Sequence, residues 1–189
     1  MNIKAKVDKS NISKAWKAVK AGGQKAVDRA RTRALKAGVS AFTSAKKGGA
    51  PAIYTIKGSD LKAATSVSNN SIVVKSRRYT IGESPSHFNI TPKAYKSQKG
   101  IKVAKRKKMS ATIKKGQKKQ MPHAFIANPA AIKGGHAMLW ERKGKRINPM
   151  HSLSAAQMIT NPEVEEAVMD AINETYEKRL DHELKRMGL

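Results

Sequence analysis

Acidic side chains are almost confined to the C-terminal end of this chain. Residues 1–150 hold 35 Lys and Arg against 5 Asp and Glu, and residues 151–189 hold 4 against 8. The two parts carry +30 and −4, and the 189-residue chain carries +26. A segment with so few acids cannot pair its cations internally. It must leave most of them in solvent and build its core from what remains, or complete that core with neighbouring subunits. Solubility alone needs a net charge of only about 2–8 for a small domain. The excess points to contact with a polyanion: DNA, RNA or an acidic protein surface.

Other classes are excluded more directly. No run reaches the roughly 18 apolar residues that a membrane-spanning helix needs. Met1-Asn2-Ile3-Lys4 lacks the apolar core of a signal peptide, so cytoplasmic synthesis is the expectation. The chain has no Cys, and with it no disulfide framework or thiolate zinc site. The acids of the basic part, Asp8, Asp28, Asp60, Glu83 and Glu141, are scattered, whereas acid–base or magnesium chemistry needs placed carboxylates. His87, His123, His136, His151 and His182 show no HExxH spacing. Only His123 and His136, as neighbours across a hairpin, make zinc conceivable, and two sheet histidines are the simpler reading. Ser84-Pro85-Ser86-His87 has no third group to orient it. Lys99-Gly100, Gly116 and Gly134-Gly135 match neither phosphate-loop nor dinucleotide fingerprints. No catalytic residue, metal or cofactor is expected, and the chain reads as a non-enzyme.

Periodicity predicts an α+β fold in a single domain over 1–189. Residues 2–7 alternate as a short strand. Ser10 or Asn11 offers an N-cap for a long N-terminal helix to about residue 44, with the stripe Ile12, Trp16, Val19, Gly23, Ala26, Ala30, Ala34 and Ala37. Lys14, Lys17, Lys20, Arg31 and Lys36 fall off that stripe, either solvated or facing a polyanion. Gly22-Gly23 should weaken or bend the helix. A strand is expected at Ala52–Ile56, and a short helix capped by Ser59 runs to about Thr65. Asn69-Asn70 marks a turn. Ser71–Ile81 reads as one strand or a tight hairpin, and His87–Ile90 as a further strand. Residues 93–119 read as a basic loop or arm, with alternation at Met109–Ile113 and a hairpin tip around Gly116. Met121–Ala127 is the most apolar strand candidate, and Phe125 and Trp140 look like core. Gly134-Gly135 turns the chain, and His136–Arg142 returns. Residues 147–160 read as a connecting loop. Asn161 caps, and Pro162 begins, a C-terminal amphipathic helix with the stripe Val164, Val168, Ile172, Tyr176, Leu180, Leu184 and Met187. The sheet between the helices is mainly antiparallel.

The candidate contact residues are the basic clusters: Arg77 and Arg78; Lys105, Arg106, Lys107 and Lys108; Lys114 and Lys115; Lys118 and Lys119; and Arg142, Lys143, Lys145 and Arg146. Lys outnumbers Arg by 29 to 10. Lys meets phosphate as a point charge, whereas Arg dominates bidentate base reading. The balance favours backbone contact without sequence recognition. Only Tyr79, Phe88 and Tyr95 lie near these segments, too few to stack a single strand.

The layout resembles minor tail protein Z and related tail-completion proteins of long-tailed bacteriophages. The likeness rests on the Ala- and Lys-rich N-terminal helix before Ile53-Tyr54-Thr55-Ile56 and Ser59-Asp60-Leu61-Lys62. It rests also on Pro122-His123-Ala124-Phe125-Ile126-Ala127, followed by Met138-Leu139-Trp140-Glu141-Arg142-Lys143-Gly144-Lys145-Arg146. The third element is a loop of Ser, Met and Pro leading into the final helix. Where the family commonly has a Pro-Ile pair, this chain has Ile147-Asn148-Pro149. The resemblance implies a virion protein at the head–tail junction. It would form a homo-oligomeric ring of six around the channel, beside the tail terminator, neck and tail tube proteins, with phage DNA as its polyanion. The basic loops at 93–119 then face DNA or acidic neighbouring subunits. Competing readings are a ribosomal or other RNA-binding protein, a nuclease, and an adaptor for acidic proteins.

Overall fold

The computed structural model describes residues 2–3, 9–68, 70–81, 88–91, 108–127 and 138–188. Its centre is a pair of long helices. The first half of the pair is broken: α1 spans Lys9–Lys20 and α2 spans Gln24–Phe42. Gly22 makes the break at φ +77, a conformation that costs other residues strain. Gly23 follows because a Cβ there would lie 2.8 Å from the Ala18 carbonyl oxygen, a backbone atom that cannot swing aside. The predicted single helix is therefore two, and its stripe does not run through. The helix begins ahead of both expected caps, since Ser10 and Asn11 lie inside α1. Ile12 and Trp16 are 56% and 61% exposed, while Asn11 and Ala18 are buried in their place. In α2 the buried face is Ala26, Val27, Ala30, Ala34, Leu35, Gly38, Ala41 and Phe42.

The other half of the pair is α6, Pro162–Arg186. Asn161 Oδ1 accepts the Glu163 amide at 3.2 Å, and Pro162 occupies the first turn, as predicted. Val164, Val168, Ile172, Tyr176 and Leu180 are buried against α2 and the sheets. Glu183 is buried with them, a position the apolar stripe did not anticipate.

Among the described residues the strands form four small antiparallel sheets, in keeping with the α+β expectation. In the first, β2 (Thr65–Ser68) and β3 (Ser71–Val74) make a hairpin, and β1 (Asn2–Ile3) adds to β3. Ser71–Ile81 is neither one strand nor a hairpin. Its second half, β4 (Arg78–Thr80), leaves β3 and pairs with β11 (His151–Ser154). The third sheet is β5 (Asn89–Thr91), β6 (Met109–Thr112) and β7 (Lys118–Met121). The fourth is β8 (Ala124–Ala127), β9 (Met138–Lys143) and β10 (Arg146–Pro149).

Five further expectations are corrected. Ala50–Ile53 is a helical turn, α3, because Pro51 sits at its start with Gly49 at the N-cap position; of the expected strand, Tyr54 makes an isolated bridge to Lys114, between β6 and β7. The next helix, α4, spans Gly58–Ala63 with Ser59 inside it, and Thr65 already belongs to β2. Met121–Ala127 is split by a turn at Pro122-His123, since Pro cannot donate to a ladder. Residues 147–160 are not a loop: they hold most of β10, all of β11, and α5, Ala155–Ile159. Ser154 caps α5 reciprocally with Gln157, a capping box in the Ser-x-x-Gln pattern. Phe125 and Trp140 face each other across β8 and β9 but are only half-buried, outside the main core.

Candidate nucleic-acid interface

The basic clusters are placed by tight turns. Gly116, at φ +76, closes β6 onto β7, and the Gln117 amide donates to Lys114 O at 3.1 Å. In the resulting hairpin Lys118 stands opposite Thr112, and Lys119 opposite the buried Ala111. Lys115, Lys118 and Lys119 are exposed, as is Lys108 at the foot of β6. Lys114 is half-buried and already engaged. Its backbone bridges Tyr54, and its Nζ lies 6.0 Å from the Tyr54 ring centre. Neighbouring backbone bonds, Lys115 N to Ile53 O at 2.8 Å and Thr55 N to Ile113 O at 2.9 Å, bind this hairpin to α3.

A second hairpin carries Arg142, Lys143, Lys145 and Arg146. Gly144 has φ +61 and Lys145 a negative φ, the signature of a type II′ turn, whose twist suits a two-residue hairpin. Lys143 and Arg146 are direct cross-strand partners. Like charges so placed repel, and among the described residues the acid that relieves this is Glu141 on the same strand, its Oε2 3.2 Å from Lys143 Nζ. Among the described residues, Arg142, Lys145 and Arg146 have no ion pair and are exposed.

The third cluster lies on the connector between β3 and β4. Lys75, Arg77 and Arg78 are exposed and line one depression of about 250 Å³ with Asp60, Ala63, Ala64 and Tyr79. The Tyr79 hydroxyl donates to Asp60 O at 3.3 Å, and burial, aided by the Asp60 charge, pushes its phenol pKa up. Tyr79 therefore stays a neutral donor at physiological pH. Lys75 was not singled out by sequence, because it ends a β-branched run that reads as ordinary strand.

The structure thus gathers the predicted residues into three separate patches on three sheets. Two of those sheets are tied together: the Leu139 amide donates to Ile81 O at 2.9 Å, Ile81 N to Met150 O at 3.0 Å, and Met150 N to Leu139 O at 2.9 Å. Lys105, Arg106 and Lys107 lie outside the described residues, as do 93–104 of the expected arm and His136 of the histidine pair. Of the helix cations, Lys17, Lys20 and Lys36 are exposed. Lys14 instead pairs with Asp181 at 3.0 Å and Glu177 at 3.5 Å, which raises its pKa. Arg31 contacts Asp28 at 3.4 Å and the Asn70 side chain. Both lock helices rather than face a ligand.

Among the described residues no three His, Asp or Glu side chains cluster as a metal site would require. No described helix is long and apolar enough to cross a membrane. Comparison of the chain with protein-family models, curated proteins and solved structures returned no match.

Proposed function

We propose that this chain is a structural protein of a long-tailed bacteriophage, seated at the head-proximal end of the tail. In this reading a ring of copies, six by the arrangement the resemblance implies, completes the tail and joins it to the neck. Its basic hairpins face the DNA held in the channel. The observation that carries the proposal is the excess of exposed cations over acids, among the described residues, on the β6–β7 and β9–β10 hairpins and the β3–β4 connector, where Glu141 and Asp60 are the acids beside them. Point charges on short rigid hairpins suit phosphates, which carry no sequence information. Retaining a DNA end requires grip without base reading. The sequence resemblance to tail-completion proteins adds the location. Tail terminator, neck and tail tube proteins are the proposed neighbours, and no catalysis, metal or cofactor enters the role.

Localisation in intact and tailless particles tests it. Label or density at the head–tail junction, present on free tails and absent from empty heads, is the expected result. Absence from particles would overturn the virion reading and turn attention to RNA binding by the isolated chain. Replacing Lys114, Lys115, Lys118 and Lys119 separates DNA contact from docking on acidic neighbours. Loss of DNA retention marks the first, and loss of docking marks the second.

A further inference from the structure

We propose that the depression under the β3–β4 connector is a seat for a single phosphate group, gripped by Arg77 and Arg78 with Lys75 at its edge. That the phosphate belongs to a nucleic-acid backbone rests on the proposed function; the seat itself does not.

Four features carry the inference. Arg is the minority cation here, 10 against 29 Lys, and Arg77-Arg78 is the chain's one pair of adjacent arginines. A guanidinium grips an oxyanion with two parallel bonds, whereas an ammonium offers a point charge. Both arginines line the same concavity.

The helix end that forms one wall is electrostatically quiet. The C-terminal carbonyls of a helix normally repel an anion. Here they are all taken. Asp60 O accepts from Tyr79 Oη at 3.3 Å, and Leu61 O and Lys62 O each accept from Thr65 Oγ1 at 3.2 Å. Ala63 O accepts from Lys75 Nζ at 3.4 Å, and Ala64 O from Lys75 N at 2.9 Å. The last two bonds also fix Lys75 at the rim.

Charge balance points the same way. Among the described residues, three cations against Asp60 leave the depression net positive. The remaining wall, Ala63, Ala64 and the Tyr79 ring, is apolar, which suits the sugar flanking a phosphodiester better than it suits water. The seat therefore differs from the two hairpins, whose lysines stand exposed along strands and turns.

The test is an amide and guanidinium NMR titration of the full chain with inorganic phosphate, at ionic strength held constant with chloride. Saturating shifts at Lys75, Arg77, Arg78 and Tyr79 are expected. The double variant Arg77→Ala with Arg78→Ala should lower phosphate affinity by at least about tenfold, while Lys25→Ala with Lys46→Ala, two exposed cations outside every basic cluster, leaves it unchanged. The double Arg→Lys variant keeps charge and fold but loses the fork, and should weaken binding severalfold. Shifts spread over all basic segments without saturation at the connector would overturn the seat. So would unchanged affinity in the Arg→Lys variant, because bulk charge would then explain the binding. Titration with a short single-stranded oligodeoxynucleotide tests the source. Displacement of phosphate from Arg77 and Arg78 supports the nucleic-acid backbone. An oligonucleotide that binds elsewhere and leaves these residues unshifted overturns that source. Absence of the protein from virions would defeat the proposed function and leave the phosphate titration untouched.

Discussion

Arg29 and Glu183 meet at 2.7 Å across the seam between α2 and α6. Glu183 is only 8% exposed, and Arg186, one turn further along α6, reaches the same carboxylate oxygen at 3.7 Å. A carboxylate withdrawn from water between two guanidiniums is tolerated only while they stay in place. The hydrogen bond from Arg29 holds its pKa below the usual carboxylate range, with Arg186 and His182 acting the same way through their charge. Burial opposes this and loses.

The sign of the pH dependence follows. The folded carboxyl ionises at lower pH than the unfolded one. Its contribution is complete above the unfolded value of about 4.3 and is lost as pH falls through the lower folded value. Urea unfolding as a function of pH should show this acid limb in the wild type and a flatter one in Glu183→Gln. Arg29→Ala should lower the melting temperature at neutral pH more than removal of a fully exposed pair such as Lys178–Glu174.

Gly38 sets how closely α2 approaches its neighbours. A Cβ there would fall 2.6 Å from Ile172 Cγ1 and 3.0 Å from Ile72 Cδ1. Gly38→Ala gains about 1 kcal/mol of helix propensity, but overpacking a filled core costs about 1–3 kcal/mol. The net effect should be destabilising. Ile172→Ala alone opens a cavity and should cost about 2–5 kcal/mol. Combining the two relieves the clash and fills part of the cavity. A double-mutant cycle by denaturant unfolding should therefore give a favourable coupling of about 0.5–3 kcal/mol.

Local signals with one interpretation were readable in the sequence. Asn161-Pro162-Glu163 followed by an apolar stripe located α6, and Gly116 located its hairpin; the hairpin at Gly144 was missed, because 147–160 reads as a loop. Failures came where two rules compete. The small-residue stripe from Ile12 to Ala37 fits one helix, but left-handed Gly22 resets the phase, so Ile12 and Trp16 turn outwards. Ala52–Ile56 has strand composition, yet Pro51 starts a helical turn. Buried Glu183 looks like another solvated acid, because its partner Arg29 is 154 residues away. The cationic patches were legible one by one. That Lys75 joins Arg77 and Arg78 in a single depression was not, since it depends on β4 leaving β3 for β11.

Asn161 serves two elements. Its Oδ1 caps α6, and its Nδ2 donates to Tyr54 Oη at 3.3 Å, tying the cap to a buried residue of the core. Asn161→Ala removes both bonds. The lost cap alone should cost about 1 kcal/mol, and the Tyr54 hydroxyl is left short of a partner. Asn161→Asp keeps the cap acceptor, adds a charge suited to the helix start, and lets Tyr54 become the donor. The aspartate variant should unfold within about 0.5 kcal/mol of wild type, and the alanine variant clearly below it. Urea unfolding of both variants at pH 7 checks this.

The exposed hairpins make a quantitative claim about salt. If Lys115, Lys118, Lys119, Arg142, Lys145 and Arg146 meet phosphates, each contact releases a counterion on binding duplex DNA. The slope of log affinity against log salt should then fall by about 0.9 for each contact removed. Lys118→Ala with Lys119→Ala should lower the slope by roughly 2 and weaken binding equally on unrelated sequences. Lys114→Ala should change the slope least, because that residue is half-buried against Tyr54. Its loss should appear instead as lower stability of the β6–β7 hairpin on α3. Fluorescence anisotropy with two unrelated duplexes over a salt series measures the slopes. A strong preference for one sequence, or a slope unmoved by the double Lys variant, would defeat phosphate contact by this hairpin.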